Sequence, residues 1–162
     1  MFPQDIETLA LAVVQAALRK DVVIATAESC TGGLVAGALT GVAGSSAVVD
    51  RGFVTYSNAA KSELIGVPAE LIQTHGAVSE DVARAMVEGA LRHSRATLAV
   101  SITGIAGPGG GSETKPVGLV HFGIADESGT GHIAHRFGDI GREEVRLASM
   151  RVALTLLLDR LA

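Results

Sequence analysis

Three side chains with complementary chemistry fall within 33 residues: Ser29, Tyr56 and Lys61. Ser29 lies in Thr26-Ala27-Glu28-Ser29-Cys30-Thr31-Gly32-Gly33, which packs two more hydroxyls, a thiol, a carboxylate and two glycines together. An apolar run, Val22 to Ala25, precedes this stretch and reads as a buried strand; a helix-like run, Leu34 to Leu39, follows it. A strand that breaks into a glycine-rich turn and re-enters as a helix exposes backbone N–H groups, which favour anions and developing negative charge. A hydroxyl held there is a candidate nucleophile with an oxyanion hole beside it. Ser29 or Thr31 serves equally well as a helix N-cap, and the stretch alone does not choose between these roles.

A serine nucleophile needs a base. None of the five histidines sits beside the polar turns except His75, so a Ser-His-Asp triad has no evident member. A lysine can replace histidine when its amine is neutral. Free lysine has a pKa of about 10.4, so reaching neutrality requires a drop of about 3 pH units, or roughly 4 kcal/mol. Burial supplies that. Lys61 is the candidate base, and Tyr56 is placed in sequence to orient or relay a proton beside it. The bland alternatives are a solvated lysine early in a short helix and a tyrosine with a wet hydroxyl at a strand end. Cys30 is either a second nucleophile or a buried thiol. Glu28 is a general base, a metal ligand or an anchor for the loop.

The surrounding elements must bring these groups together. Apolar spacing predicts a helix over Ile6 to Leu18. A second strand is expected over Ala47 to Tyr56, a short helix capped by Asn58 through Ile65, and another over Ala69 to Thr74. Ser79 caps an amphipathic helix with Glu80 and Asp81 in its first turn. Strands follow over Thr97 to Ile102 and Pro116 to Ala125. A turn from Asp126 to Gly131 leads to a hairpin partner over His132 to Phe137. Asp139 is the expected cap of the last helix, Arg142 to Leu161. Helices between the early strands and a late hairpin predict a three-layer α/β/α sandwich with a mixed, mostly parallel sheet of about five strands.

Ligands of open α/β sheets bind beyond the carboxyl ends of the strands. Three polar loops are candidates for that rim: Glu28 to Gly33, Tyr56 to Lys61 and Thr103 to Lys115. The third holds Gly104, Gly107, Gly109, Gly110 and Gly111 but lacks both the Walker A ending and the dinucleotide fingerprint. It is either a phosphate cradle or a surface loop. Arg142 and Arg146, one helical turn apart, either clamp a phosphate or form a solvated face with Glu143 and Glu144. His132 and His135 are three apart on a strand and face opposite sides, which disfavours a metal site.

Composition narrows the classes. The 162 residues suit one domain, and 48% hydrophobic content argues against disorder. A net charge of −4, 3% aromatics and no Trp disfavour nucleic-acid binding. One cysteine permits no internal disulfide. No signal peptide or transmembrane run is evident, so the expectation is a cytoplasmic protein with no membrane partner. Apolar helix faces on a small chain suggest a homo-oligomer.

The motifs together go further. Thr26 to Gly33, then Gly52-Phe53-Val54-Thr55-Tyr56-Ser57-Asn58 with Lys61, Gly76-Ala77-Val78-Ser79 and Thr103-Gly104-Ile105-Ala106-Gly107-Pro108-Gly109-Gly110 resemble the CinA C-terminal domain family. Its members include nicotinamide-nucleotide amidohydrolases. The resemblance implies hydrolysis of the carboxamide of nicotinamide mononucleotide (NMN) to nicotinate mononucleotide and ammonia, with no metal or other cofactor. It implies Ser29 as nucleophile, Lys61 as base and Tyr56 as assisting residue. Glu28, Cys30, Thr31, Gly32, Ser46, Thr103, Gly104, Gly107 and Arg142 follow as substrate contacts, Ser46 and Arg142 as the weaker transfers. Many members carry an additional N-terminal domain, so this chain reads as a stand-alone version. A catalytically silent nucleotide- or partner-binding module, and an amidohydrolase for another small amide, are the competing readings.

Overall fold

The computed structural model describes residues 1–162. The chain order is α1 Gln4–Lys20, β1 Ile24–Glu28, α2 Leu34–Thr40, a 3-10 turn Ser45–Ala47, β2 Val49–Val54, α3 Asn58–Ile65, α4 Ala69–His75, α5 Glu80–Arg92, β3 Leu98–Gly104, β4 Leu119–Asp126, β5 Gly129–Arg136 and α6 Arg142–Arg160. One sheet forms with strand order β2-β1-β3-β4-β5. β1 pairs in parallel with both β2 and β3, while β4 is antiparallel to β3 and to β5. Four strands therefore share one direction and β4 alone is reversed. This is the mixed α/β architecture expected from the sequence.

The apolar faces explain the layering. Ile6, Val13 and Val14 of α1 and Leu154 and Leu157 of α6 join Val35, Val100 and Phe122 in one core on one face of the sheet. On the other face, Val82, Met86 and Ala90 of α5 and Ile65 of α3 enclose Ala25, Ala27 and Ala99. The small side chains of β1 let helices approach closely on both sides. Two glycines show how close the helices come. A Cβ at Gly52 would lie 2.8 Å from the Ala36 Cβ, so α2 rests directly on β2. A Cβ at Gly89 of α5 would lie 2.1 Å from the Ile65 carbonyl oxygen, so α3 is seated on α5 at a point with no side chain between them.

Boundaries differ from expectation where polar residues are buried. β1 runs through Thr26, Ala27 and Glu28 rather than ending at Ala25, and all five of its residues are enclosed. Its polar groups find partners inside: the Thr26 hydroxyl donates to Glu28 Oε1 at 3.2 Å. Ser57, not Asn58, caps α3, its Oγ accepting from the Ala60 N–H at 3.0 Å. Asp139 caps nothing, because α6 opens after Gly141 without a side-chain cap. The β4–β5 turn is tighter than the predicted six residues, because Asp126 already pairs with Gly129 and its carboxylate accepts from the Ser128 N–H at 2.8 Å. Ser79 caps α5 as expected, accepting from the Val82 N–H at 3.3 Å. No helix is long and apolar enough to cross a membrane.

Candidate active site

The parallel strands β2, β1 and β3 deliver three loops to one rim of the sheet, as the sequence predicted. The Ser29 N–H donates to the Ile102 carbonyl at 2.9 Å, and the Thr55 N–H donates to the Glu28 carbonyl at 2.8 Å. These bonds extend the ladder past the strand ends and fix Ser29 between its neighbours. α3 then turns back over the rim and carries Lys61 inward. Lys61 Nζ lies 3.0 Å from Ser29 Oγ and donates to the Thr55 carbonyl at 2.8 Å.

Lys61 is only 1% exposed although it is the largest fully enclosed side chain, and Ser29 is 9% exposed. No carboxylate contacts the amine. Desolvation therefore lowers the Lys61 pKa from its ordinary 10.5, opposed only by negative charge on Cys30. That opposition vanishes near neutrality, because burial first, and then the charge of Glu28, push the Cys30 thiol up to about 12. An ammonium has three hydrogens to place, and the site supplies two acceptors. Once the amine gives up a proton, one N–H can stay on the Thr55 carbonyl while its lone pair faces the Ser29 hydroxyl, the arrangement a general base needs. Burial thus holds Cys30 as the protonated thiol, the poorer nucleophile, at neutral pH.

Glu28 is the principal departure from the expected set of substrate contacts. Its side chain is 0% exposed and turned under α2. Oε2 accepts from the Gly33 and Val35 N–H groups at 3.2 and 3.1 Å, and Oε1 from Ala36 at 2.9 Å. The carboxylate thus fills the helix N-terminus expected to hold an anion, and the Gly33 N–H is not free to serve an oxyanion. The Gly32 N–H is likewise committed, to the Ser29 carbonyl at 3.0 Å. The N–H groups of Cys30 and Thr31 have no protein acceptor. Thr31 is fully enclosed and its Oγ1 is the one buried side-chain polar atom without a partner. The Cys30 N–H, on the residue directly after Ser29, occupies the position of the oxyanion donor in serine hydrolases of the nucleophile-elbow type.

The remaining expected contacts divide. Tyr56 does not bond Lys61: it is 62% exposed, and its hydroxyl accepts from Arg142 Nη2 at 3.1 Å. The strand-end backbone after Thr55 turns it outward. Arg142 Nη1 also donates to the Gly107 carbonyl at 2.8 Å, so one guanidinium ties the second rim loop to the third. Thr103 is buried, its hydroxyl donating to the Ala77 carbonyl at 2.8 Å, and so holds the loop before α5 rather than facing solvent. Gly104 is packed so closely that a Cβ would lie 2.7 Å from a Val120 methyl. Ser46 sits in the 3-10 turn before β2, beyond the amino ends of the strands and across the sheet's length from Ser29. Arg146, which the sequence offered as a phosphate clamp or part of a solvated face, does neither here: its Nε donates to the Cys30 carbonyl at 3.1 Å and its Nη2 to the Thr31 carbonyl at 3.4 Å. His132 does face away from His135: its Nε2 meets His121 Nδ1 at 2.8 Å, while His135 stacks on Phe137. No three His, Cys, Asp or Glu side chains converge where they could hold a metal ion.

An α/β domain with a buried serine–lysine pair at the carboxyl rim of its parallel strands is thus defined. The comparisons place it. The model of the CinA C-terminal domain matches residues 6–161, and the chain belongs to that family. A CinA-like protein of Anaeromyxobacter dehalogenans is 56% identical over 135 residues, covering 83% of this chain and 33% of that protein. A CinA-like protein of Syntrophus aciditrophicus is 46% identical over 164 residues, covering 100% of this chain and 39% of that protein. The chain thus spans well under half the length of the curated relatives it matches. The crystal structure of competence/damage inducible protein CihA from Agrobacterium tumefaciens superposes with a TM-score of 0.96 at 56% identity, covering 98% of this chain and 97% of that one. A CinA superfamily protein from Klebsiella pneumoniae gives 0.92 at 35% identity, with 98% of each chain covered.

Proposed function

We propose that this protein is an amidohydrolase that converts the carboxamide of NMN to a carboxylate, releasing ammonia. The observation that carries this reading is the contact of 3.0 Å between Lys61 Nζ and Ser29 Oγ in an enclosed site with no carboxylate against the amine.

Ser29 Oγ attacks the amide carbon and its proton passes to Lys61 Nζ. The carbonyl oxygen takes the electron pair, and the Cys30 N–H meets the developing charge. Collapse of the tetrahedral species breaks the C–N bond, and Lys61 returns the proton to the departing ammonia. Water then attacks the acyl-enzyme, with Lys61 accepting its proton, and nicotinate mononucleotide leaves as Ser29 is regenerated. Tyr56 takes no part in this proton path. With Arg142 and the Gly107 loop it forms the outer wall, where a cationic guanidinium suits the 5′-phosphate.

Purified protein incubated with NMN, without added metal, is expected to release ammonia and nicotinate mononucleotide in equal amounts, and Ser29→Ala to release neither. Equal turnover by Ser29→Ala would remove Ser29 as the nucleophile. A folded wild type inert toward NMN but active on another small amide would retain the reaction and reject the substrate.

A further inference from the structure

We propose that Arg146 is a positioning residue that holds the Ser29–Cys30–Thr31 turn so that the Cys30 N–H stays aimed at the oxyanion; this rests on the amidohydrolase reading above. Five N–H groups run from Ser29 to Gly33. Three are spent: Ser29 on Ile102, Gly32 on the Ser29 carbonyl and Gly33 on Glu28. The turn therefore closes on itself at Ser29 but has no internal bond to the next carbonyl, that of Cys30. Arg146 supplies it from α6, more than 100 residues away in sequence, with Nε at 3.1 Å. Nη2 reaches the Thr31 carbonyl at 3.4 Å, which also accepts from the Leu34 N–H at 3.1 Å.

The consequence follows from peptide planarity. The peptide on the amino side of Cys30 is fixed by the Gly32 N–H, and the peptide on its carboxyl side by Arg146. The Cys30 N–H lies in the first plane, opposite the Ser29 carbonyl and so turned away from the closed side of the turn; Arg146 anchors the second plane and so keeps the whole turn from rocking about Cys30 and taking the first plane with it. Gly32 supplies the left-handed backbone the turn needs, at φ +58°, and the guanidinium packs directly over it: a Cβ there would just touch Arg146 Nη2, at 3.4 Å. The planar fork matters, because it presents two N–H donors in fixed directions to two successive carbonyls, whereas a lysine ammonium is a single point donor on a flexible stem. Arg146 touches neither Ser29 Oγ nor Lys61 Nζ, so it acts through the backbone.

The test uses Arg146→Lys and Arg146→Ala in the full chain, with NMN as substrate. Expected are a fall in kcat of roughly 10- to 100-fold, the scale of a misplaced or lost oxyanion donor, and a KM within about twofold. The pH midpoint set by Lys61 should stay where it is in the wild type. Methylguanidinium added to Arg146→Ala should restore part of kcat. Amide resonances of Cys30 and Thr31 should move in Arg146→Lys while those of Ile24 to Ala27 hold, showing that the variant is folded. An unchanged kcat, or a loss confined to KM, overturns the proposal, as do unmoved Cys30 and Thr31 resonances. A wild type without turnover overturns the amidohydrolase reading instead, and the amide resonances then decide alone whether Arg146 sets the turn.

Discussion

Lys61 Nζ and Ser29 Oγ stand 3.0 Å apart, and the two residues arrive from different elements: the turn after β1 and the first half of α3. Their meeting depends on the parallel register of β1 with β2, which puts Glu28 beside Val54 and so starts both loops level.

The pH dependence of activity follows from that pair. Burial lowers the Lys61 pKa, so kcat/KM with NMN should rise with pH as the amine loses its proton, through a midpoint below 10.5. Lys61→Met should abolish turnover, by at least about 10²-fold, with the circular dichroism spectrum intact. The sign for stability is the reverse of a salt-bridged lysine. Between the folded value and 10.5 the unfolded chain holds the extra proton, so the group's contribution to stability rises with pH across that window. Below it the penalty is complete. Urea titrations should show the wild type gaining on Lys61→Met as pH climbs; a constant difference would mean that the amine is not desolvated.

Tyr56 is tied to Arg142 rather than to Lys61. Tyr56→Phe should therefore raise KM for NMN by about 3- to 10-fold, the scale of one hydrogen bond, and leave kcat within about twofold. A large drop in kcat with unchanged KM would return Tyr56 to the proton path.

Cys30 should resist thiol reagents in the folded state, since its thiol is buried and pushed up to about 12. Iodoacetamide at pH 8 is expected to label it only after urea unfolding. Cys30→Ser should keep most of the activity, because the backbone N–H, not the sulfur, is what the mechanism uses.

Gly89 lies far from the chemistry along the chain yet governs where α3 sits. A methyl there meets the Ile65 carbonyl at 2.1 Å, so α3 must shift and Lys61 with it. Gly89→Ala should cost about 1–3 kcal/mol in unfolding free energy and lower kcat disproportionately. Gly109→Ala, with nothing within 4 Å, should leave stability unchanged.

The layers and the rim were readable because they follow from periodicity: alternating helices and apolar runs leave few arrangements, and three polar loops after three strands point to one edge. What the sequence hid was direction. Glu28 looks like a site residue by type, but a strand position alone does not say that its carboxylate turns under α2 to meet Gly33, Val35 and Ala36. Tyr56 is five residues from Lys61, yet it ends 62% exposed beside Arg142. Ser46 is close to the motif in sequence but lies before β2, at the wrong end of a parallel strand. Arg146 could be seen as a cation near a helix start; that it grips two carbonyls of the serine turn is a long-range contact with no local signal.

The carboxylate of Glu28 makes the protein its own ligand. In many α/β proteins the first strand–turn–helix is the seat that welcomes a passing phosphate. Here the chain has filled that seat from within, by a group that cannot dissociate. On the proposed reading, the phosphate of NMN is left to the Arg142 wall and the carboxamide end enters beside Ser29. An internal tenant of this kind closes a general anion receptor to outside anions, so any ligand of this rim must be recognised by something other than the helix N-terminus.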